Sequence, residues 1–327
     1  MKKGLKKVLK LVLPLALGLL ILWLLYRHMD VEAFRHTLRE DTNLWIILGA
    51  SMMGTVGNTI RGLRWQMLNK RLDENTSLIN SILTVHGNYG VSLAIPRMGE
   101  VWRVATMSLY SGIGVGKLVG TLLVDRVFDI IAILVMLLIG LGVNAPFFSG
   151  FISTNVDLDS AVRSSVWLYI AVGLLAALTI AVALWFVKSA KGHAAARNIL
   201  QGLKTISQLD QPWLFYLYTI GIWGSYFLQF YFCFFAFSFT SHMGMSVALL
   251  CFVMASVGVM VPTQGGMGGW HFVVIYTLMA FGLDQVHAQN FALIVHTFQA
   301  IFWTGSVGLV SILLLPIINR KKNIVNQ

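Results

Sequence analysis

The sequence predicts an all-α polytopic membrane protein with about six full spans and two re-entrant helix hairpins in an inverted-repeat arrangement. Hydrophobic residues make up 57% of its 327 residues and charged residues only 11%. Apolar runs of about 20 residues, the length that crosses a bilayer core, recur along the chain. From these observations we expect a single integral membrane domain over 1–327, without a soluble domain, in which 44–143 and 212–315 are pseudo-repeat halves.

The predicted spans are the apolar runs that are long enough to cross a bilayer as a helix. They cover about 8–26, 44–60, 118–143, 166–187, 212–239 and 289–315. The first follows five lysines and in this respect resembles a secretory signal. Because no small-residue cleavage site ends it, we expect a retained first helix.

Lysine and arginine are concentrated in alternate loops. The N-terminus carries five, 61–76 four, 188–211 four and the tail three, whereas 27–43 and 144–165 together carry four. If the spans alternate, the four basic regions lie on one side, which the positive-inside rule makes cytoplasmic. We therefore interpret the basic excess behind the net charge of +11 as a signal of membrane orientation. We expect an integral protein of the cytoplasmic (inner) membrane with both termini in the cytoplasm, and no nucleic-acid partner.

Two further hydrophobic stretches are interrupted, and each of their halves is short for a crossing. They are 81–95 with 101–112, broken at 96–100, and 245–260 with 270–281, broken at 261–269. Paired broken segments at corresponding positions of two halves indicate a transporter binding site. We interpret both as re-entrant hairpins. Complete crossings, which give eight to ten spans, leave both termini on the same side and remain an alternative.

Three ionisable residues, Asp125, Arg126 and Asp129, lie within the otherwise uncharged run 118–143. Helical geometry places them on one side of their helix. Charged groups at this depth are costly and usually functional. One interpretation is an ion cluster that only fixes helix packing. The triad, however, has a net charge of −1, which a positively charged neighbour could complement.

The first break supplies such a neighbour, because Arg97, Glu100 and Arg103 have a net charge of +1. We predict a joint polar cavity in which Arg97, Arg103 and Arg126 contact a phosphate, while the carboxylates orient the guanidinium groups. Arg61 and Arg64, just past the second predicted span, are expected at the cytoplasmic surface. There they either collect anionic headgroups or serve as ordinary positive-inside charge.

The second break contains four glycines in five residues, Gly265 to Gly269. Exposed backbone amides at such a break suit an anionic group beside a helix N-terminus, although a flexible turn has the same composition. His271 follows the break and could carry a proton near neutral pH. Packing within the interior is the alternative for this histidine.

The order of these motifs resembles the flippase-like transmembrane region of lysylphosphatidylglycerol synthases and their stand-alone relatives. The resemblance covers essentially the whole chain and rests on three blocks. They are Asn88 with Pro96-x-x-Gly99-Glu100-x-x-Arg103, then Asp125-Arg126-x-x-Asp129, and last Pro262-x-x-Gly265-Gly266-x-Gly268. Three positions depart from the family's pattern: Asp125 stands where Glu is more common, Gln264 where a second proline is common, and His271 where a glutamate is expected.

The resemblance implies a protein that binds or moves a phosphate-bearing lipid, either a phospholipid or a polyprenyl-phosphate-linked lipid, between leaflets. It implies headgroup contacts at Asn88, at the three glycines of the last block and at His271, besides the charged residues. No cofactor or metal is expected, and no aminoacyl transfer. The alternative is an integral membrane enzyme acting on a lipid phosphate, with Asp125 or Asp129 as base or metal ligand. A third possibility is association with a lipid-modifying enzyme as a scaffold.

Overall fold

The described residues of the computed structural model, 2–73, 75–146, 208–259, 261 and 263–320, are predominantly helical. The α-helices are α1 (Lys2–Tyr26), α2 (Val31–His36), α3 (Leu44–Lys70), α4 (Leu78–Ala94), α5 (Met98–Ser111), α6 (Val115–Val143), α7 (Pro212–Phe234), α8 (Met245–Gly258), α9 (Gly269–Ala280), α10 (Gln285–His296) and α11 (Gly305–Ile318). Two π-helical segments, Thr37–Asp41 and Thr297–Thr304, extend α2 and join α10 to α11. Across these ranges there is no strand, so the all-α prediction is confirmed.

The predicted spans and hairpin halves coincide with helices wherever the chain is described; the predicted span 166–187 lies outside those residues. One described segment, Gln285–Ile318, is long and apolar enough to cross a membrane by itself. The pair Leu13–Tyr26 and Val31–Asp41, bent by 98°, meets the same criterion only when taken together. The number of spans and their topology therefore stay predictions.

The first break separates α4 from α5 through the local chemistry of proline. Pro96 restricts the residue before it to extended backbone, and Ile95 accordingly has φ −133° and ψ 114°. Arg97, the N-cap of α5, then adopts a left-handed conformation with φ 61°. A non-glycine residue is uncommon there. The chain thus reverses between two helices that pack on each other.

The second break, between α8 and α9, uses glycine instead. Thr263 is extended, and Gly265, Gly266 and Gly268 all have positive φ, which glycine tolerates without strain. α8 and α9 approach closely where the break begins and ends. A Cβ added to Gly258 would lie 2.7 Å from the carbonyl oxygen of Gly269.

Small residues also set the packing between the two halves. α3 lies along α7, and a Cβ on Gly57 would come within 2.6 Å of Tyr226 Cε1. α4 packs against α11 through Gly90 and Gly308. α6 packs against α8. These contacts join the segment around the first break to the last helix, and the segment around the second break to α6.

Helix α6 has its charged side inside and its apolar side outside. Asp125 and Asp129 are 0% and 4% exposed, whereas Ile130, Leu134 and Leu138 are between 52% and 70% exposed. A water-soluble protein places charges outward and aliphatic side chains inward. The reversed arrangement suits a helix whose outer face contacts lipid.

We predict that Gly308→Ala destabilises the fold. The new Cβ would lie 2.6 Å from Gly90 Cα, so α4 and α11 must move apart, and overpacking of this kind costs about 1–3 kcal/mol. Thermal unfolding of the detergent-solubilised protein should show a lower midpoint.

The matched control is Gly120→Ala on α6, where an added Cβ meets nothing within 4 Å. This variant should be as stable as the parent or slightly more stable, because alanine favours helix. Equal midpoints for the two variants would contradict the packing of α4 on α11.

Candidate functional site

Two aspartates of α6 form the centre of a buried ionic cluster. Asp125 and Asp129 are one helical turn apart, so both carboxylates leave the same face of the helix. α3 passes this face and brings Arg61 and Arg64, which are also one turn apart. The side chains of both arginines are almost fully buried, at 2% and 0% exposure.

Arg64 bridges the two aspartates. Its Nε donates to Asp125 Oδ1 at 2.9 Å, and its Nη2 donates to Asp129 Oδ1 at 2.8 Å. Nη2 also reaches the Asp125 carbonyl oxygen at 3.1 Å, and Nη1 donates to Thr219 Oγ1 of α7 at 2.9 Å. Such charge-assisted bonds are what makes a buried ion tolerable.

Arg61 makes a second bridge on the other side of the carboxylates. Its Nη1 pairs with Asp129 Oδ2 and lies 3.5 Å from Asp125 Oδ2. Its Nε donates to the Tyr226 hydroxyl at 3.3 Å, and that hydroxyl donates to Asn58 Oδ1 at 2.5 Å. The two aspartates are therefore held by two arginines of α3, and polar groups of α7 hold these arginines in turn.

The prediction that Arg61 and Arg64 lie at the cytoplasmic surface is wrong. It rested on ending the second span at residue 60, whereas α3 continues to Lys70. The two arginines lie within this helix and inside the protein. The spacing of these arginines along the sequence could have indicated their burial. Arg61 and Arg64 are about one helical turn apart, as are Asp125 and Asp129 on α6, so the two pairs can face each other.

Arg103 of α5 is buried in the same cluster but is incompletely paired. Its guanidinium lies 3.9 Å from the centre of the Trp65 ring, a cation–π contact, and its Nη1 is 3.5 Å from Asp125 Oδ2. Its Nε and Nη2 are buried without a hydrogen-bond partner. Arg103 thus has donors available for an anion.

Arg126 and Glu100 form the accessible edge of the cluster. Arg126 Nη1 donates to Asp129 Oδ2 at 2.9 Å, and its Nε lies 2.5 Å from Glu100 Oε1. Their side chains are 31% and 42% exposed. Four guanidinium groups and three carboxylates leave the described cluster with a net charge of +1.

Two residues predicted for this site lie at the first break, outside the ion pairs just described. Arg97 is exposed at the N-cap of α5, and the ion pairs of the cluster do not include it. Asn88 is buried on α4 at the first break, where a Cβ on Gly99 would lie 2.7 Å from its Oδ1. That oxygen has no hydrogen-bond partner.

The glycine-rich break forms a separate region. Its contacts run to α1, to the end of α4 and to α10: a Cβ on Gly265 would meet Leu93, and one on Gly268 would lie 2.9 Å from the Gly18 carbonyl oxygen. The Gly268 amide donates to His271 Nδ1 at 3.4 Å. The structure therefore brings the three predicted glycines and His271 together, but beside α1 and α10 rather than within the arginine–aspartate cluster.

Sequence reasoning missed the aromatic and hydroxyl groups that support the cluster. They are Trp65 on α3, and Phe215, Thr219 and Tyr226 on α7. Each is an ordinary residue of an apolar helix. Only the packing of α3, α5 and α7 around α6 reveals what they touch.

The protein is helical, with charged groups buried inside it and aliphatic side chains on the outer face of α6. These features define its class as a helical membrane protein with an interior polar site. The chain belongs to the family described as the lysylphosphatidylglycerol synthase TM region, whose family model matches residues 11–306. The family suspected from the three sequence blocks is thus confirmed. No curated protein matches the chain.

We predict that Arg64→Lys destabilises the protein by at least about 2 kcal/mol. Lysine keeps the charge but loses the planar fork that reaches both aspartates, and each lost hydrogen bond to a charged group is worth about 1.5–3 kcal/mol. Chemical or thermal unfolding in detergent measures the loss.

Arg71→Lys is the control for this substitution. Arg71 is exposed, donates to the Gln208 carbonyl oxygen and lies 3.9 Å from Asp210, which is 94% exposed. The same change there should alter stability by less than about 0.5 kcal/mol. If both variants unfolded like the parent, the bridging role of Arg64 would be refuted.

Proposed function

We propose that this protein binds the phosphate of an anionic lipid headgroup in the arginine–aspartate cluster and moves that lipid between leaflets. The observation that carries the proposal is Arg103, a buried cation with two unpartnered donors. Leaving buried donors unpaired costs about 1–3 kcal/mol each. A phosphate oxygen removes this cost, and the guanidinium fork matches phosphate geometry.

The charge of the cluster favours an anion rather than a cation. With a net charge of +1, the cluster is neutralised by one singly charged phosphodiester. Its accessible edge at Arg126 gives the first contact for a headgroup whose acyl or prenyl chains stay in lipid. A phospholipid and a polyprenyl-phosphate-linked lipid present the same phosphate chemistry to these arginines.

The aspartates serve in this proposal to orient the arginines. Both carboxylates already accept hydrogen bonds from Arg61 and Arg64. A general base or metal ligand needs lone pairs that are free for a proton or an ion. The transport function is therefore better supported than an enzyme that uses Asp125 or Asp129 for phosphoryl chemistry.

Arg103→Gln and Arg126→Gln test the proposed contacts. In proteoliposomes with a short-chain fluorescent anionic phospholipid, we expect each variant to translocate about tenfold to a hundredfold more slowly than the parent. That range, about 1.4–2.7 kcal/mol, corresponds to the loss of one hydrogen bond to a charged group. Phospholipid retained after purification, counted by native mass spectrometry, should fall in parallel.

Arg71→Gln serves as the control, since it removes an exposed arginine outside the cluster. Monodisperse elution and a folded state at the assay temperature must accompany any loss of activity. If both Arg103→Gln and Arg126→Gln translocated lipid as fast as the parent, these arginines would not be contacts for the lipid phosphate. Release of inorganic phosphate from lipid by the purified protein, dependent on Asp125, would instead establish the enzyme.

We also propose that α4–α5 and α8–α9 are re-entrant hairpins entering from opposite sides. Their lengths of 17, 14, 14 and 12 residues correspond to about 18–26 Å, shorter than a bilayer core of about 30 Å. Leu93 at the end of α4 lies against Gly265 of the second break. The two breaks therefore approach each other, as hairpin tips from opposite sides would near the bilayer centre.

A thiol-labelling experiment tests this topology. If the first hairpin enters from the cytoplasm, Arg97→Cys should resist a bulky, membrane-impermeant maleimide applied to the outside of cells. Arg39→Cys, also exposed but in the predicted outer loop, should react. Cys233 and Cys251 are buried and should contribute little background. Ready labelling at position 97 would mean that 81–95 crosses completely.

A further inference from the structure

The second break contains two buried oxygen atoms that lack a partner. Thr263 and Gln264 are 6% and 5% exposed, and neither Thr263 Oγ1 nor Gln264 Oε1 makes a hydrogen bond. Buried polar atoms in folded proteins are nearly always paired. Gln264 Oε1 can only accept, and the Thr263 hydroxyl can accept as well as donate, so the two neighbouring oxygens suit a bound species that supplies positive charge or a donor.

The break is enclosed on several sides. A Cβ added to Gly18 of α1 would lie 3.3 Å from Thr263 Cβ, and Leu93 of α4 lies against Gly265. From α10, His296 Nε2 is 3.0 Å from the Gly265 carbonyl oxygen, so this nitrogen carries the proton and donates. Irregular backbone at membrane depth persists only where it is buried in protein or lines a cavity, and this break is of the first kind.

The buried side-chain atoms without a partner at the break have the chemistry of oxygen ligands. The Gly268 amide already donates to His271 Nδ1, so the imidazole occupies a donor that could otherwise bind an anion. The two unpartnered side-chain atoms are both oxygens. Oxygen ligands select hard cations, and neutral oxygens without a carboxylate suit a single positive charge.

We propose that Thr263 Oγ1 and Gln264 Oε1, with backbone carbonyl oxygens of the unwound segment, bind a monovalent cation, Na⁺ or K⁺. Broken helices in membrane transporters hold Na⁺ through the carbonyl oxygens of their unwound backbone. The site is distinct from the arginine–aspartate cluster, which α3, α5, α6 and α7 build.

The site is tested by thermal unfolding of the full-length protein in detergent at equal ionic strength in NaCl, KCl or choline chloride. Binding of a cation to the folded state alone raises the midpoint. At a hundredfold excess over Kd we expect a rise on the order of 5 °C in the preferred salt relative to choline. The difference between NaCl and KCl identifies the ion.

Substitutions at the two oxygens should remove this difference between salts. Thr263→Val and Gln264→Leu each delete one ligand, so their midpoints in NaCl, KCl and choline chloride should coincide. Gln264→Glu keeps the oxygen and adds a negative charge, and it should enlarge the salt-specific shift. This third variant keeps the test decisive if Gln264→Leu fails to fold.

Thr277→Val is the matched control. Thr277 lies on α9 of the same hairpin, and its hydroxyl already donates to the Val273 carbonyl oxygen at 2.7 Å. It should retain the full ion-specific shift, and so should Arg126→Gln, whose defect concerns the lipid phosphate. Failure of the anion site and failure of the cation site are thus separate results.

Three outcomes would overturn the cation site. Identical midpoints of the parent in all three salts would show that water alone occupies the break. A shift that persists in both Thr263→Val and Gln264→Leu would place the ion elsewhere. A shift produced by added anionic phospholipid and by no salt would assign the two oxygens to a headgroup hydroxyl instead.

Discussion

The structure depends on keeping two carboxylates and three guanidinium groups together inside an apolar protein. A buried charge without a partner costs several kcal/mol, and removing one member of a buried pair typically costs about 3–5 kcal/mol. Asp125 and Asp129 therefore require α3 at the position where Arg61 and Arg64 reach both of them. Arg64 in turn requires Thr219 of α7. Satisfying this set of hydrogen bonds therefore constrains how α3, α6 and α7 are placed relative to one another.

The residues of the cluster differ in how many hydrogen bonds hold them in place. Arg61 and Arg64 are almost fully buried and bind both aspartates, so they have little freedom. Arg103 and Glu100 belong instead to α5, one half of the hairpin that breaks at Pro96. They make fewer or more exposed contacts: Arg103 is 3.5 Å from its carboxylate, and Glu100 is 42% exposed. Fewer hydrogen bonds and ion pairs of the cluster therefore join α5 to α6 than join α3 to α6.

Features that depend on the local chemistry of the chain were predicted from the sequence. Features that depend on contacts between helices far apart in the sequence were not. The helix interruptions at Pro96 and at the glycines after Thr263 were predicted. Proline restricts the backbone conformation of itself and of the residue before it, and glycine tolerates positive φ. The inward orientation of Asp125 and Asp129 followed from their cost in an apolar helix. The burial of Arg61 and Arg64 was missed because a hydropathy boundary at residue 60 ignores their partners on another helix. The sequence also did not reveal that Arg97 is exposed, whereas Arg103, six residues further along, is buried.

An anion that binds as proposed must first meet the ion pair of Glu100 and Arg126. Arg126 is shared between Glu100 and Asp129, and a phosphate that displaces Glu100 exchanges one anionic partner for another. This exchange costs less than desolvating an unpaired arginine. Once Glu100 is released, α5 is no longer tied to Arg126, and the unpartnered donors of Arg103 on the same helix become reachable. In this proposal, a phosphate that replaces Glu100 at Arg126 can then reach the buried Arg103 from the outer edge of the cluster.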